Sequence, residues 1–440
     1  MKKVALHNLG CKVNSYEIDS IKEQLIRAGY EVVPFKEGAD IYIINTCTVT
    51  NIADRKSRQM LHKAKKLNPL AMVIATGCYA QSAKEELEKD ECIDFILGNN
   101  YKGKVVEAIK NWENNIEQEY FSEITFDEEF EDIPISNISG HVRAYIKIQD
   151  GCNRFCSYCI IPYVRGRVRS RSFDSIIHEA KKLSENGVAE IVLTGIQLSA
   201  YGLDFDKKSE HLVKVVEELA NIDKLSRIRL GSLEPNVITE EFVHRLSRIK
   251  KFCPQFHLSL QSGSDSVLRR MKRPYTTSRY LKACNMIRDN FDMPAITTDI
   301  IVGFPGETDK EFNETKSFVK EIKLAQTHIF QYSKRKGTKA ALMIDQVNDM
   351  IKKNRAIELE KITNKLQLEY LHNNINKQKD VIIEDGYITI DGKEYSTGHT
   401  KEYIKVAIPG HIKKNTLINI EIISVDEERK LLIARRKNEV

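Results

Sequence analysis

Residues 151 to 159 read Gly151-Cys152-Asn153-Arg154-Phe155-Cys156-Ser157-Tyr158-Cys159 and place three cysteines at C-x3-C-x2-C spacing. Three thiolates this close on one loop suit a cubane iron-sulfur cluster, and three ligands for four irons leave one iron open to a substrate or cofactor. The alternative is a zinc knuckle. Structural zinc takes four closed ligands, and no further Cys or His lies close to the triplet in the chain.

The loop follows a strand-like run, Ala144-Tyr145-Ile146-Lys147-Ile148, the first of six that alternate with helical patterns. The others are Glu190 to Leu193, Arg227 to Leu230, Gln255 to Leu260, Ile296 to Val302 and His328 to Phe330. Six β-α repeats imply a parallel sheet curled into a partial barrel. Its outer face must be apolar beneath helices. Period-2 alternation therefore directs His257, Ser259, Gln261, Lys147, Gln149, Arg229 and Asp299 into the lumen. A lumen packed only for stability would hold Val, Ile and Leu, so a polar one implies a polar occupant or a satisfied polar network. Five glycine-bearing turns share the active rim: Gly151-Cys152, Thr194-Gly195-Ile196-Gln197, Gly231-Ser232-Leu233-Glu234, Gln261-Ser262-Gly263 and Gly303-Phe304-Pro305.

Upstream, three shorter units repeat one arrangement. Strand-like runs at Lys3 to Leu9, Asp40 to Ile44 and Ala71 to Ala75 end at Gly10-Cys11, Asn45-Thr46-Cys47 and Thr76-Gly77-Cys78. The carboxyl ends of parallel strands converge on one edge, where such folds bind ligands. Cys11, Cys47 and Cys78 are therefore expected to meet as a second three-thiolate site; the alternative is three buried core cysteines. Cys92 does not share the position and reads as packing. From Asn111 to Val142 the chain has no Lys or Arg, and Glu113 to Asp132 is acidic, with Pro134 and Gly140 nearby. The segment reads as a solvated linker.

Beyond the loop, Arg165, Arg167, Arg169 and Arg171 alternate with other residues, and Arg269, Arg270, Lys272 and Arg273 form a second basic run. Such rows suit phosphates when they are not simply solvated faces. The C-terminal region reads as a long polar helix, Asn348 to Lys377, followed by five short strands at Val381–Ile383, Tyr387–Ile390, Ile404–Ile408, Leu417–Ile422 and Leu431–Ala434. They imply a small barrel of the kind that binds single-stranded or looped nucleic acid, or a docking module.

With 41% hydrophobic and 30% charged residues and no apolar run near the ~20 residues of a membrane span, the chain is expected to be soluble, with no membrane partner. Met1-Lys2-Lys3 leads into only Val4-Ala5-Leu6, and nine cysteines are an odd number, so a reducing cytoplasm is expected. A net charge of +6 permits a polyanionic partner without demonstrating one.

The C-x3-C-x2-C run with Tyr158 before its last cysteine resembles the radical S-adenosylmethionine superfamily. That resemblance implies a [4Fe-4S] cluster on Cys152, Cys156 and Cys159 that chelates S-adenosyl-L-methionine and cleaves it to methionine and a 5'-deoxyadenosyl radical. Thr194-Gly195 resembles the segment that holds the methionyl amino group, Thr194 standing where glycine is more usual, and Val302-Gly303 resembles the adenine-contacting segment. Tyr158, Gln197, Ser232, Glu234 and Gln261 complete the implied cofactor-binding set. The C-terminal strands resemble the TRAM domain of RNA-modifying enzymes.

In this order the parts resemble the methylthiotransferase family over essentially the whole chain. The resemblance implies an α/β chain with an N-terminal parallel-sheet domain (1–112), an acidic linker (113–140), a partial (β/α)6 barrel (141–345), a connecting helix (346–375) and a small antiparallel β-barrel (376–440). Leu9-Gly10-Cys11-Lys12-Val13-Asn14 and Tyr332-Ser333-Lys334-Arg335-Lys336-Gly337-Thr338 resemble the branch that methylthiolates N6-threonylcarbamoyladenosine beside the tRNA anticodon. The expected activity is thus conversion of that nucleoside at position 37 to its 2-methylthio form, with a second [4Fe-4S] cluster on Cys11, Cys47 and Cys78. A tRNA anticodon stem-loop, an electron donor such as flavodoxin or ferredoxin, and a monomeric chain are expected. Arg165, Arg167, Arg169 and Arg171 are candidate RNA contacts, and Lys334, Arg335 and Lys336 candidate contacts to the threonylcarbamoyl carboxylate. The alternatives are methylthiolation of isopentenyladenosine or of a ribosomal-protein side chain, and a non-catalytic iron-sulfur RNA-binding protein.

Overall fold

The computed structural model describes residues 1–125, 128–137, 142–206 and 210–437. Its first sheet holds five parallel strands, β1 (Lys3–Asn8), β2 (Glu31–Val33), β3 (Ile41–Thr46), β4 (Met72–Gly77) and β5 (Phe95–Leu97), in the spatial order β2-β1-β3-β4-β5. β3 and β4 are buried at every residue, as strands covered on both faces must be. Helix α1 (Lys12–Arg27) leaves β1 and buries Val13, Tyr16, Ile21 and Leu25; α2 (Asn51–Leu67) leaves β3, its first turn capped by the Thr50 side chain. β2, three residues long, is too short to show a periodicity in sequence.

The central wall comprises β6 (Arg143–Asp150), β7 (Arg169–Ser170), β8 (Glu190–Gly195), β9 (Arg227–Leu230), β10 (Ser232–Leu233), β11 (Gln255–Leu258), β12 (Ala295–Val302) and β13 (Gln326–Gln331). They form two four-stranded sheets, β7-β6-β8-β9 and β10-β11-β12-β13, parallel except where β7 turns back against β6. Gly231 alone separates β9 from β10, and a parallel bridge between Ile228 and Phe252 links the sheets into one curved wall. Ile146, Ile191, Leu193, Ile228, Phe256 and Leu258 pack in one core with Ile176, Leu183, Val216, Leu246 and Tyr280 of the outer helices.

The linker is not a solvated loop. Tyr120, Ile133 and Ile135 are buried, and the Ile133 carbonyl accepts hydrogen bonds from Tyr16 and Ser20 of α1. Glu128 pairs with Arg169 at 2.8 Å and Asp132 with Arg171 at 2.8 Å. The acidic run and the arginine row thus neutralise each other, which neither reveals when read alone. Linker residues 126, 127 and 138–140, with Gly140, lie outside the described residues, as do residue 141 and residues 438–440 at the edges of the two following segments.

After the helix Asp349–His372 comes a closed barrel of β14 (Gln378–Ile390), β15 (Lys393–Thr400), β16 (Lys405–Pro409), β17 (Leu417–Asp426) and β18 (Leu431–Arg436), ordered β14-β15-β16-β18-β17. Two strands expected apart, Val381–Ile383 and Tyr387–Ile390, are one strand with a register shift between Ile383 and Tyr387. The fifth strand is instead the polar run Lys393–Thr400. Asp391 (φ 48°) and Gly392 (φ 76°) make the turn between β14 and β15, with the two positive φ angles that a tight hairpin requires. Arginines of β9 fix this barrel to the central wall: Arg227 donates to the carbonyls of His399 and Asp380, and Arg229 to that of Lys401.

Candidate active site

β1, β3 and β4 are adjacent and parallel, so their carboxyl ends lie side by side, and Cys11, Cys47 and Cys78 stand at those ends. Gly10 has φ 109°, and a Cβ placed there would lie 2.9 Å from Cys47 Cβ, so the close approach of the first two chain ends requires glycine. Burial, reinforced by the neighbouring Cys78 and Cys11 sulfurs, pushes the Cys47 thiol up to about 12; burial and Cys78 also raise Cys11. Thiols that oppose one another's ionisation in this way carry charge together only around a compensating cation.

The second triplet hangs from β6. Gly151 turns the chain with φ 70°. The Cys152 sulfur accepts from the Arg154 amide at 3.4 Å and lies 3.1 Å from Gln197 Oε1, and Cys156 accepts from Arg273 Nη1 at 3.3 Å. Burial first, then the other thiols, lift Cys159 to about 12 and Cys152 to about 11, although an Arg154 hydrogen bond works against the rise at Cys152. Glu234 is buried between Arg154 at 2.5 Å and Arg273 at 3.5 Å. It is held by cations of the loop and rim rather than open to a ligand.

Arg165, the last residue of the helix Ile161–Arg165, reaches out of the central wall into the N-terminal domain. Its Nε donates to Cys78 Sγ at 3.2 Å, Nη2 to Asn14 Oδ1 at 2.8 Å, and Nη1 to Glu17 at 2.6 Å and Asp150 at 3.1 Å. Lys147 joins Glu17 and Asp150, and Lys102 joins Glu17 at 3.4 Å. Burial pushes both carboxyls up, but Arg165 and the two lysines override it and hold them well below the usual carboxylate range.

Arg165 is therefore not an RNA contact, nor are Arg169 and Arg171. Arg169 is buried on Glu128, and Arg171 on Asp132 and Glu179. Arg167 alone of the row is half-buried, lying 4.5 Å over the Phe155 ring. Arg335 is likewise committed: it is buried against Asp54 at 2.6 Å, Thr48 and Asn51, clamping the start of α2. Lys334 and Lys336 are exposed. Glu17 was not singled out in the sequence, and Asn14 entered only as the last residue of the motif Leu9 to Asn14, without a role. Their signal is that they interrupt the apolar stripe Val13, Ile18 and Ile21 of α1 with polar residues that are fully buried. Arg273, inside a basic run, has no local signal.

A cavity of about 980 Å³ opens between the three folded units. Cys11 and Lys12 line it from one side, Thr194, Gly195, Ser232, His257, Ser259 and Asp299 from the barrel, and His399 and Tyr403 from the C-terminal barrel. His257 lies 3.3 Å from Asp299 and 3.1 Å from the Thr297 hydroxyl. Of the polar residues expected in the lumen, Arg229, His257, Ser259 and Asp299 line it. Lys147 instead enters the ion cluster, Gln149 donates to the Asp150 and Gly151 carbonyls, and Gln261 (φ 71°) bridges Ile300 by its backbone. Tyr158 packs with Phe304 and Tyr332; Val302 is buried, and Gly303 takes φ 70° where a side chain would strike Lys352.

A parallel half-barrel carrying a three-cysteine loop on its carboxyl rim defines a radical SAM protein, and the model described as "Radical SAM superfamily" matches residues 146–319. A second, described as "Uncharacterized protein family UPF0004", matches residues 3–98, the segment with the other three cysteines. The chain is 39% identical over 412 residues to the threonylcarbamoyladenosine tRNA methylthiotransferase MtaB of Bacillus subtilis (strain 168), covering 93% of this chain and 91% of that protein. It is 34% identical over 433 residues to the tRNA-2-methylthio-N(6)-dimethylallyladenosine synthase of Fusobacterium nucleatum subsp. nucleatum, covering 96% and 97%. Among solved structures, the radical S-adenosylmethionine methyltransferase TsrM from Kitasatospora setae, with cobalamin and a [4Fe-4S] cluster bound, superposes with a TM-score of 0.57 at 15% identity over 75% of this chain and 72% of that one, a likeness of fold. The chain belongs to the radical SAM methylthiotransferase family and is an enzyme.

The family's cofactors are S-adenosyl-L-methionine and two [4Fe-4S] clusters. The residues present fit them. Each triplet offers three sulfurs and no carboxylate or imidazole among the described contacts, and each has an arginine donating to one sulfur, Arg165 to Cys78 and Arg273 to Cys156. Among the described residues no helix is long and apolar enough to cross a membrane.

Proposed function

We propose that this enzyme installs a methylthio group on C2 of N6-threonylcarbamoyladenosine at position 37, beside the anticodon of tRNA. The observation that carries the reading is convergence: Arg165, six residues past the loop triplet, donates to Cys78 of the N-terminal triplet, and Cys11 lines the same cavity as the polar residues of the barrel lumen. Cys152, Cys156 and Cys159 would hold one cluster and Cys11, Cys47 and Cys78 the other. Thr194, Gly195, Gln197 and Ser232 would bind S-adenosyl-L-methionine at the first, a role supported for Gln197 by its position 3.1 Å from the Cys152 sulfur. Bound cofactors supply the one-electron chemistry that an unactivated C2–H bond requires and the sulfur that replaces its hydrogen. The chain's own residues hold the thiolates, fix the loop through Arg154 and Glu234, and shape the cavity for the base.

The reading divides the work among segments 1–112, 141–345 and 376–440, with 113–140 and 346–375 as connections. Exposed Lys334, Lys336, Arg269 and Lys272, with the small C-terminal barrel, offer contacts to the anticodon stem-loop. A flavodoxin- or ferredoxin-type donor would deliver electrons in the cytoplasm, where tRNA works. All six thiols come from one chain, consistent with a monomer. The test is mass spectrometry of tRNA nucleosides from a deletion strain. Loss of 2-methylthio-N6-threonylcarbamoyladenosine supports the proposal. Its persistence beside loss of the dimethylallyl counterpart would move the enzyme to the other branch.

A further inference from the structure

We infer that the Lys12 ammonium is the subsite for the carboxylate of the threonylcarbamoyl group; the inference rests on the substrate proposed above. The cavity is lined by six cationic side chains, Lys12, Arg143, Arg229, Lys405, Arg429 and Lys430, against two carboxylates, Asp299 and Glu402. Most of this charge is already spoken for. Arg143 lies 2.6 Å and Arg229 2.9 Å from Glu190, Arg429 2.9 Å from Asp426, and Glu402 2.8 Å from Lys379. Lys430 donates to the Asn364 side chain. Two lysines have neither an ion pair nor a side-chain hydrogen bond among the described residues, Lys405 on the C-terminal barrel and Lys12. A walled space with surplus positive charge favours an anionic occupant.

Lys12 stands next to Cys11, and both line the cavity. In adenine, C2 and C6 flank N1, so the substituent on N6 lies on the same side of the ring as the carbon that receives sulfur. A base presenting C2 toward the Cys11 side therefore brings its N6 substituent toward the neighbouring residue. Arg335 cannot serve, being buried against Asp54, and neither Lys334 nor Lys336 lines the cavity. An ammonium is a compact point charge on a flexible stem, suited to follow a carboxylate on a flexible threonyl arm.

The test uses the full-length, anaerobically reconstituted enzyme and two anticodon stem-loops that differ only in whether the threonine carboxylate is free or converted to its carboxamide. The unaltered enzyme should favour the free carboxylate. Lys12→Met should lower kcat/KM for that stem-loop about tenfold to a hundredfold, chiefly through KM, and cost far less on the carboxamide. Lys12→Arg should recover most of the loss, and iron content and the visible spectrum should be those of the unaltered enzyme. Equal losses on both stem-loops would assign Lys12 to the RNA backbone and overturn the inference. So would indifference of the unaltered enzyme to the carboxamide, a result that needs no variant. If the unaltered enzyme methylthiolates neither stem-loop but does act on one bearing dimethylallyladenosine, the substrate reading fails and the carboxylate subsite fails with it.

Discussion

Arg165 Nε donates to Cys78 Sγ at 3.2 Å, so a residue six positions after the last loop cysteine of one triplet holds a sulfur of the other. The same guanidinium also bonds Asn14, Glu17 and Asp150. One ammonium cannot reproduce that planar fork.

In a background with Cys152, Cys156 and Cys159 changed to Ala, only the N-terminal triplet can load a cluster. There Arg165→Lys should hasten cluster loss to a chelator about tenfold or more, the scale expected when a ligand-orienting hydrogen bond is removed. Unchanged iron retention and an unchanged electron paramagnetic resonance spectrum would reduce Arg165 to a packing residue.

Gly10→Ala adds a Cβ 2.9 Å from Cys47 Cβ at a backbone φ of 109°. Both effects act on the N-terminal triplet and leave the barrel loop untouched. The variant should still cleave S-adenosyl-L-methionine to 5'-deoxyadenosine while losing the methylthiolated product. Full product formation would separate Gly10 from cluster assembly.

Glu190 is buried under Arg143 and Arg229. Burial pushes its carboxyl up, yet Arg229 and Arg143 hold it down at about 2. Its folded value lies below its unfolded one, so its contribution is complete above pH about 5 and fades as pH falls toward 2. At neutral pH that contribution is about 3 kcal/mol. Denaturant titrations at pH 7 and pH 4 should show Glu190→Gln destabilised at pH 7 and less sensitive to acid than the unaltered protein. Parallel acid dependence in the two proteins would contradict this.

Arg335 and Lys334 are neighbours in sequence with opposite fates. Arg335→Ala should lower stability and leave stem-loop affinity intact, with a coupling of about 1–3 kcal/mol to Asp54→Ala in a double-mutant cycle. Lys334→Ala with Lys336→Ala should do the reverse, weakening stem-loop binding and flattening its salt dependence by about one unit of slope for each phosphate no longer neutralised. RNA affinity that falls with Arg335 and not with the lysines would exchange their roles.

Much of this site is legible in the chain itself. The cysteine spacing at Cys152 to Cys159, and the placement of Cys11, Cys47 and Cys78 just past three strands, are local patterns. The order β1-β3-β4 explains why three sequence-distant cysteines stand along one edge: adjacent parallel strands end there. The arginine row is not legible. Alternation along the chain places guanidiniums on one side of an extended backbone, but Arg165 ends a short helix and Arg169 opens a two-residue strand. The polar strand Lys393–Thr400 escapes notice for a related reason. Barrel closure pairs its backbone on both sides, so it needs no apolar alternation to form.

The sequence by itself determined the thiol chemistry, the three-part architecture and the family, because ligand spacing and hydrophobic period are carried by residues close together in the chain. The tertiary structure decided which charges are spent and which remain. Arg165, Arg169, Arg171 and Arg335 are neutralised by acids 8 to 281 residues away, whereas Lys12 lines the cavity with no ion-pair partner among the described residues. A charge run looks alike in sequence whether it faces water, an acid or a substrate, since the partner that cancels it is chosen only when distant segments pack.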